Sequence, residues 1–294
     1  MKRRSFIKAS SFAMVGAAGL PSSKAEAQSS SGYGITPSLN AYSFNKALLE
    51  EGMSLDKLFI FAAQVGFTAV DLTAYYIPGY PEVPDDLTLY EIKRDAFRTG
   101  ISFSGTGVRN DFTVRGAEAL AKEIDLVKQW IVAASKLGAP NIRVFDGKAP
   151  SAAYSTSTTH QQVVDAFREC ARFGARYGVY VAFQNHHDFF IRTDEIIDMI
   201  QRVDSEWFGL MLDTGSVAGP DPYREIEKLI PYAVTWQVKE QIRTADGNEA
   251  IDVGRLINIL HKHQFHGFLP LETLGDGDPR TKVKALFQKV ANKL

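Results

Sequence analysis

From residue 35 onward the chain repeats one pattern eight times: a short apolar run, then an amphipathic stretch long enough for a helix. The pairs are 35–44 with 54–66, 67–75 with 86–100, 101–108 with 117–138, and 139–147 with the stretch around Cys170 that ends at Gly178. They continue as 179–186 with 193–204, 207–215 with 222–232, 234–241 with 252–265, and 267–274 with 279–294. Short apolar runs bounded by turn residues read as buried strands, and the stretches between them carry apolar residues at helical spacing. Gly66, Gly100, Gly138, Gly178 and Gly267 follow helices, where glycine ends them most easily, and Thr193 stands as an N-cap. Strict alternation implies parallel strands joined by right-handed crossovers. Eight units in about 260 residues are the size of a (β/α)8 TIM barrel of the α/β class. An open doubly wound sheet is the alternative, but no G-x-G-x-x-G follows any strand.

The first residues lie outside this pattern. KRRSFIKAS pairs Arg3 with Arg4, a mild apolar run follows from Phe12 to Leu20, and Ala25-Glu26-Ala27 has small residues where a signal peptidase cuts. This reads as a twin-arginine signal over 1–27, with the barrel as a single domain over 28–294. The apolar run is too short to span a bilayer. The expected address is the periplasm, with no membrane attachment once the signal is removed. A formal net charge of −1 gives no footprint for nucleic acid or anionic lipid. The single cysteine, Cys170, sits among apolar residues of a helix and reads as a packed thiol.

A parallel barrel carries its site at the C-terminal ends of its strands. The polar residues there are few. The second strand offers Asp71 and Tyr75, and the fourth Arg143, with Asp146 and Lys148 beyond. The fifth offers Gln184 and His186, the sixth Asp213, the seventh Gln237 and Lys239, and the eighth Glu272. Period-two alternation puts Gln184 with His186 on one face, and Gln237 with Lys239 on one face. Four successive strands thus bring an oxygen to one place: Gln184, Asp213, Gln237 and Glu272. Asp213 and Glu272 end the apolar runs GLML and FLPL, where a carboxylate is costly unless paired or coordinated. The four residues are therefore candidate metal ligands. The alternative is a set of salt bridges and hydrogen bonds closing the barrel mouth.

The stretches FQNHHDF, MLDTGS, WQVKEQ and PLET carry a resemblance. The chain is similar to the xylose isomerase-like barrel superfamily, which includes sugar epimerases, isomerases and endonuclease IV. The resemblance implies one divalent metal held by Glu, Asp, His and Glu on those four strands. Asp213 and Glu272 match. Gln184 stands where the first Glu is usual, and Gln237, two residues before Lys239, where the His is usual. An all-oxygen set favours Mn²⁺ or Mg²⁺ over Zn²⁺. Family epimerases use both glutamates as bases on opposite faces of the substrate. Gln184 cannot be a base, so epimerisation would need His186.

One-base, metal-dependent chemistry stays open: Glu272 abstracts a proton next to a sugar carbonyl while the metal polarises that carbonyl and stabilises the enediolate, and His186 or Lys239 returns or donates a proton. That suits an aldose–ketose isomerase, or β-elimination from a 3-keto-glycoside. The expected partner is a small-molecule sugar or glycoside, and self-association stays open. Tyr42, Asp71, Tyr75 and Arg143 are candidate substrate contacts, because Tyr42, Phe44, Tyr75, Tyr76 and Tyr80 gather after the first two strands and sugar sites often use aromatic faces. A sugar-binding protein without catalysis is the rival reading. Phosphodiester cleavage is disfavoured by the neutral charge. HKHQFHG falls at the opposite end of the barrel and reads as helix-end polarity rather than a metal cluster. His160 reads as a surface residue and His187 as a wall residue.

Overall fold

The computed structural model describes residues 34–148, 156–186 and 189–294; the expected twin-arginine signal over 1–27, His187 and Asp188 lie outside the described residues. The alternating pattern folds as expected. The parallel strands β1 (Ile35–Asn40), β2 (Ala69–Thr73), β3 (Ser102–Gly107), β4 (Asn141–Val144), β5 (Tyr180–Gln184), β6 (Phe208–Asp213), β7 (Ala233–Lys239) and β10 (Gly267–Glu272) close into one barrel. Closure comes from β1 against β10, in a register running from Ile35 opposite Gly267 to Leu39 opposite Leu271. β2 and β6 are buried along their whole length, as expected of strands sandwiched between helices and the barrel interior.

Among the described residues a helix of at least eight residues follows each barrel strand: Leu55–Val65, Asp86–Arg98, Ala117–Leu137, Thr156–Tyr177, Thr193–Val203, Pro222–Leu229, Val253–Lys262 and Pro279–Ala291, with a short helix, Asn45–Leu49, ahead of the first. Phe59, Trp130, Phe167 and Trp236 are fully buried in the core. Cys170 is buried with them, and burial pushes its thiol far above the ordinary range. Gly66 (φ 111°) and Gly138 (φ 86°) close their helices in the left-handed conformation. Among the described residues no helix is long and apolar enough to cross a membrane.

Three details depart from the sequence reading. The first, second and sixth runs stop early as strands and continue as single 3₁₀ turns, Ala41–Phe44, Ala74–Tyr76 and Thr214–Ser216. In two of these a side chain ends the strand: Asn40 Oδ1 accepts the Tyr42 N–H at 2.9 Å, and Asp213 Oδ1 accepts the Gly215 N–H at 3.0 Å. Second, Thr193 is the first helical residue rather than the cap. Arg192 holds the cap position, and its N–H is accepted by Glu195 at 3.2 Å. Third, an antiparallel hairpin of β8 (Gln241–Thr244) and β9 (Gly247–Ala250) follows β7. Its two-residue turn is Ala245-Asp246, with Gly247 opening β9, and β9 is exposed throughout and carries no apolar pattern.

Candidate active site

β3 reads Ser-Phe-Ser-Gly-Thr-Gly, and its two glycines make room inside the barrel mouth. A Cβ on Gly105 would fall 2.6 Å from Asn141 Oδ1 and 3.0 Å from Asp71 Oδ2. One on Gly107 would fall 2.8 Å from Arg143 Nε. A glycine inside a strand commonly marks such a close approach. Arg143 is buried over this space. It donates to the Val108 carbonyl at 2.7 Å and to the Tyr75 hydroxyl, with its guanidinium 4.2 Å from the Phe145 ring centroid. Asp71 forms the floor, and Asn141, the first residue of β4, sits beside Gly105. Burial pushes the Asp71 carboxyl up to about 7 against the opposing pull of Arg143, and neither Asp71 Oδ2 nor Asn141 Oδ1 has a hydrogen-bond partner.

Across the mouth, β5, β6, β7 and β10 bring Gln184, Asp213, Gln237, Lys239 and Glu272 together. Asp213 is fully buried. Its Oδ2 accepts from Gln184 Nε2 at 2.9 Å, from Ser216 Oγ at 3.0 Å and from the Lys239 ammonium at 2.8 Å. The Asp213 backbone is fixed by Asn185, which donates to its carbonyl at 3.0 Å and accepts its N–H at 2.9 Å. Glu272 accepts from Gln237 Nε2 and lies 3.9 Å from Lys239 Nζ. Burial pushes Glu272 up; Lys239 pulls it down and Asp213 adds to the rise, leaving it at about 7. For Lys239, burial acts to lower the pKa, but Asp213 and Glu272 together raise it, so it stays an ammonium.

A cavity of about 470 Å³ opens between these two halves, a volume typical of small-molecule sites. Tyr42, Asp71, Tyr75, Arg143, Gln184, His186, Gln237, Lys239 and Glu272 all line it. Asp213 lies beneath, joined to the lining by Gln184 and Lys239. His186 is exposed at the rim, its ring centroid 5.1 Å from that of Phe145. Of the other aromatics, Tyr80 packs behind Tyr75 and accepts the Arg109 N–H at 2.9 Å, and Phe44 is core. Asp146 is not in the cavity. It accepts the N–H groups of Phe189 at 3.1 Å and Phe190 at 2.6 Å, which ties the loop after β5 to the end of β4. His266 accepts the Gly34 N–H at 3.1 Å at the start of β1, the end of the barrel opposite this cavity. Asn185, Gly105 and Gly107 were not singled out from the sequence. The two glycines in the interior of a strand pattern were the available signal.

The divalent cation implied by the resemblance does not fit this arrangement. Both carboxamides turn an N–H toward a carboxylate, so hydrogen-bond donors converge on Asp213 and Glu272. Among the described residues no group of three or more His, Cys, Asp or Glu side chains is placed to hold a metal. The Lys239 ammonium is 2.8 Å from Asp213 Oδ2. An ion bound to that oxygen would stand within about 5 Å of it, a repulsion on the order of 7 kcal/mol.

The xylose isomerase-like TIM barrel family model matches residues 59–292. A comparison with curated proteins finds no match. Among solved structures, 3-keto-D-glucoside 4-epimerase from E. coli is similar with a TM-score of 0.72 and 12% identity, covering 88% of this chain and 99% of that one. D-psicose 3-epimerase from Clostridium cellulolyticum H10 has a TM-score of 0.68 and 16% identity over 87% and 91% of the two chains. A probable 3-DHS dehydratase from Bacillus anthracis has a TM-score of 0.68 and 18% identity over 88% and 100%. At these identities the likeness is one of fold. The match over most of its length shows that the chain belongs to the xylose isomerase-like TIM barrel family.

Proposed function

We propose that this barrel is a sugar-active enzyme that removes a proton from the carbon next to a carbonyl, with Glu272 as the base. The observation that carries this reading is Glu272 itself: a buried carboxyl at the cavity wall, poised at about 7 and beside a cation. A base is most effective when its pKa lies near the working pH. The wall opposite, with Arg143 and Tyr75, supplies donors for substrate hydroxyls. Gln184 faces Asp213 where a second base would be needed, so the chemistry is one-sided. That favours aldose–ketose isomerisation over two-base epimerisation.

β-Elimination from a 3-keto-glycoside is the second reading. It is supported by the separation of the two proton-carrying groups: Glu272 is buried, and His186 stands exposed at the rim where a departing alcohol can take a proton. The C2 proton goes to Glu272, its electron pair forms the C1–C2 double bond, and the C1–O bond breaks. Export to the periplasm, also part of this proposal, fits free sugars or glycosides better than cytoplasmic sugar phosphates.

The test is ¹H NMR in D₂O with a panel of aldoses, ketoses and 3-keto-glycosides. Loss of the signal of the proton next to the carbonyl is expected, and released aglycone would identify elimination. Glu272→Gln should lower exchange by about 10²–10⁴-fold. Binding across the whole panel with no exchange would overturn the enzyme reading in favour of a sugar-binding protein.

A further inference from the structure

We infer that Lys239 is the built-in cation of this site: its ammonium meets the negative charge that develops on the substrate's carbonyl oxygen, and the barrel works without a metal ion. The inference rests on the proposed reaction for the identity of that oxygen, but its structural basis is independent of it.

The strand order β10–β7–β6 sets Lys239 on the middle strand, flanked by Glu272 on one side and Asp213 on the other. Lys239 pairs in register with Glu272 itself, and Gln237 with Asp213. The ammonium comes to 2.8 Å from Asp213 Oδ2 and 3.9 Å from Glu272 Oε1, so one cation serves both carboxylates. Three carboxylates around a divalent ion and two carboxylates around an ammonium leave the same net charge. Gln184 in place of a glutamate therefore keeps the charge of the mouth balanced once lysine replaces the metal.

The fold makes a place for this side chain. Thr214 Oγ1 accepts the Lys239 N–H at 3.0 Å. Gly215 leaves the room that the lysine stem fills: a Cβ there would fall 2.5 Å from Lys239 Cδ, 3.3 Å from its Cβ and 3.4 Å from the Gln241 carbonyl oxygen. An ammonium has three N–H donors. Asp213 is its one hydrogen-bond acceptor among the described residues, and the side chain lines the cavity at 16% exposure. N–H donors are thus left for a substrate oxygen.

In the isomerase form of the reaction, Glu272 takes the proton from carbon and the C–H electron pair becomes the C–C double bond. The carbonyl π pair moves onto oxygen, which accepts an N–H from Lys239. One proton then passes from the neighbouring hydroxyl to that oxygen, and Glu272 returns its proton to the adjacent carbon. Fixed donors of this kind act where charge develops and need no reorganisation.

The experiment measures metal and reaction separately. The full chain is produced in medium supplemented with Mn²⁺, Mg²⁺ and Zn²⁺, its metal content is measured by mass spectrometry, and its melting temperature is followed with each ion. Wild type is expected to carry far less than one metal per chain, to show no ion-dependent shift, and to keep its deuterium exchange in EDTA. Lys239→Met is expected to lose exchange by about 10²-fold or more and to gain a Mn²⁺-dependent thermal shift, because the carboxylates lose their cation. One tightly held metal per wild-type chain, an ion-dependent shift in wild type, or full exchange by Lys239→Met would each overturn the inference. Should Lys239→Met fail to fold, the wild-type measurements decide. Should wild type exchange no sugar proton, the proposed reaction falls, while the metal measurements still test the built-in cation.

Discussion

Replacing Asp71 with asparagine should make the protein more stable, and increasingly so as pH rises. Burial moves this carboxyl from 3.8 to about 7, against the opposing pull of Arg143. A shift of that size corresponds to about 4 kcal/mol between the two protonation states. Because the folded value is the higher one, the native protein keeps a proton that the unfolded chain has already released. The group's stabilising contribution is full below 3.8 and declines as pH rises, until it is lost above about 7. Asparagine has no charge to desolvate in this buried position. Urea unfolding of both proteins at pH 5 and pH 8 isolates the effect, since all other titrations cancel in the difference. The advantage of Asp71→Asn should grow by about 2–3 kcal/mol between those conditions. A difference that does not change with pH would mean that Asp71 is ionised throughout, and the account of the cavity floor would be wrong.

The proposed role of Glu272 as base requires the ionised carboxylate, so the exchange rate should rise about tenfold per pH unit below about 7 and level off above it; a pH–rate profile in D₂O buffers checks this. Gly105→Ala should destabilise the barrel by about 1–3 kcal/mol in urea unfolding, because its Cβ would fall 2.6 Å from Asn141 Oδ1 and 3.0 Å from Asp71 Oδ2. Residues 1–27 fused to a reporter should direct it to the periplasm, and Arg3→Lys with Arg4→Lys should block export; export that survives the double change would refute the signal.

Much of this molecule was legible beforehand, for identifiable reasons. Strands such as β6 are buried on both faces and so read as apolar runs, and left-handed glycines such as Gly66 and Gly138 mark where helices stop. The cluster at the mouth was legible as a set of residues, because alternation fixes which side chains share a strand face. What each residue meets was not legible. Alternation puts Gln237 and Lys239 on one face, but only the closed order of strands places the ammonium between Asp213 and Glu272. The early ends of the first and sixth strands depend on Asn40 and Asp213 bonding their own backbones, a local competition that hydrophobic pattern does not record. The hairpin after β7 was missed because β9 is exposed at every position.

The two hydrogen bonds from Phe189 and Phe190 to Asp146 bear on how a barrel of this family can change its specificity. Loops above a barrel are often treated as interchangeable parts, each free to vary while the frame stays fixed. Here the segments following β4 and β5 share one carboxylate, and between them they carry Phe145, Lys148 and His186 into the cavity rim. Grafting either segment alone would leave a buried aspartate facing the wrong chain. Natural drift and deliberate redesign of specificity on this side of the barrel must therefore move the two together, as one cassette.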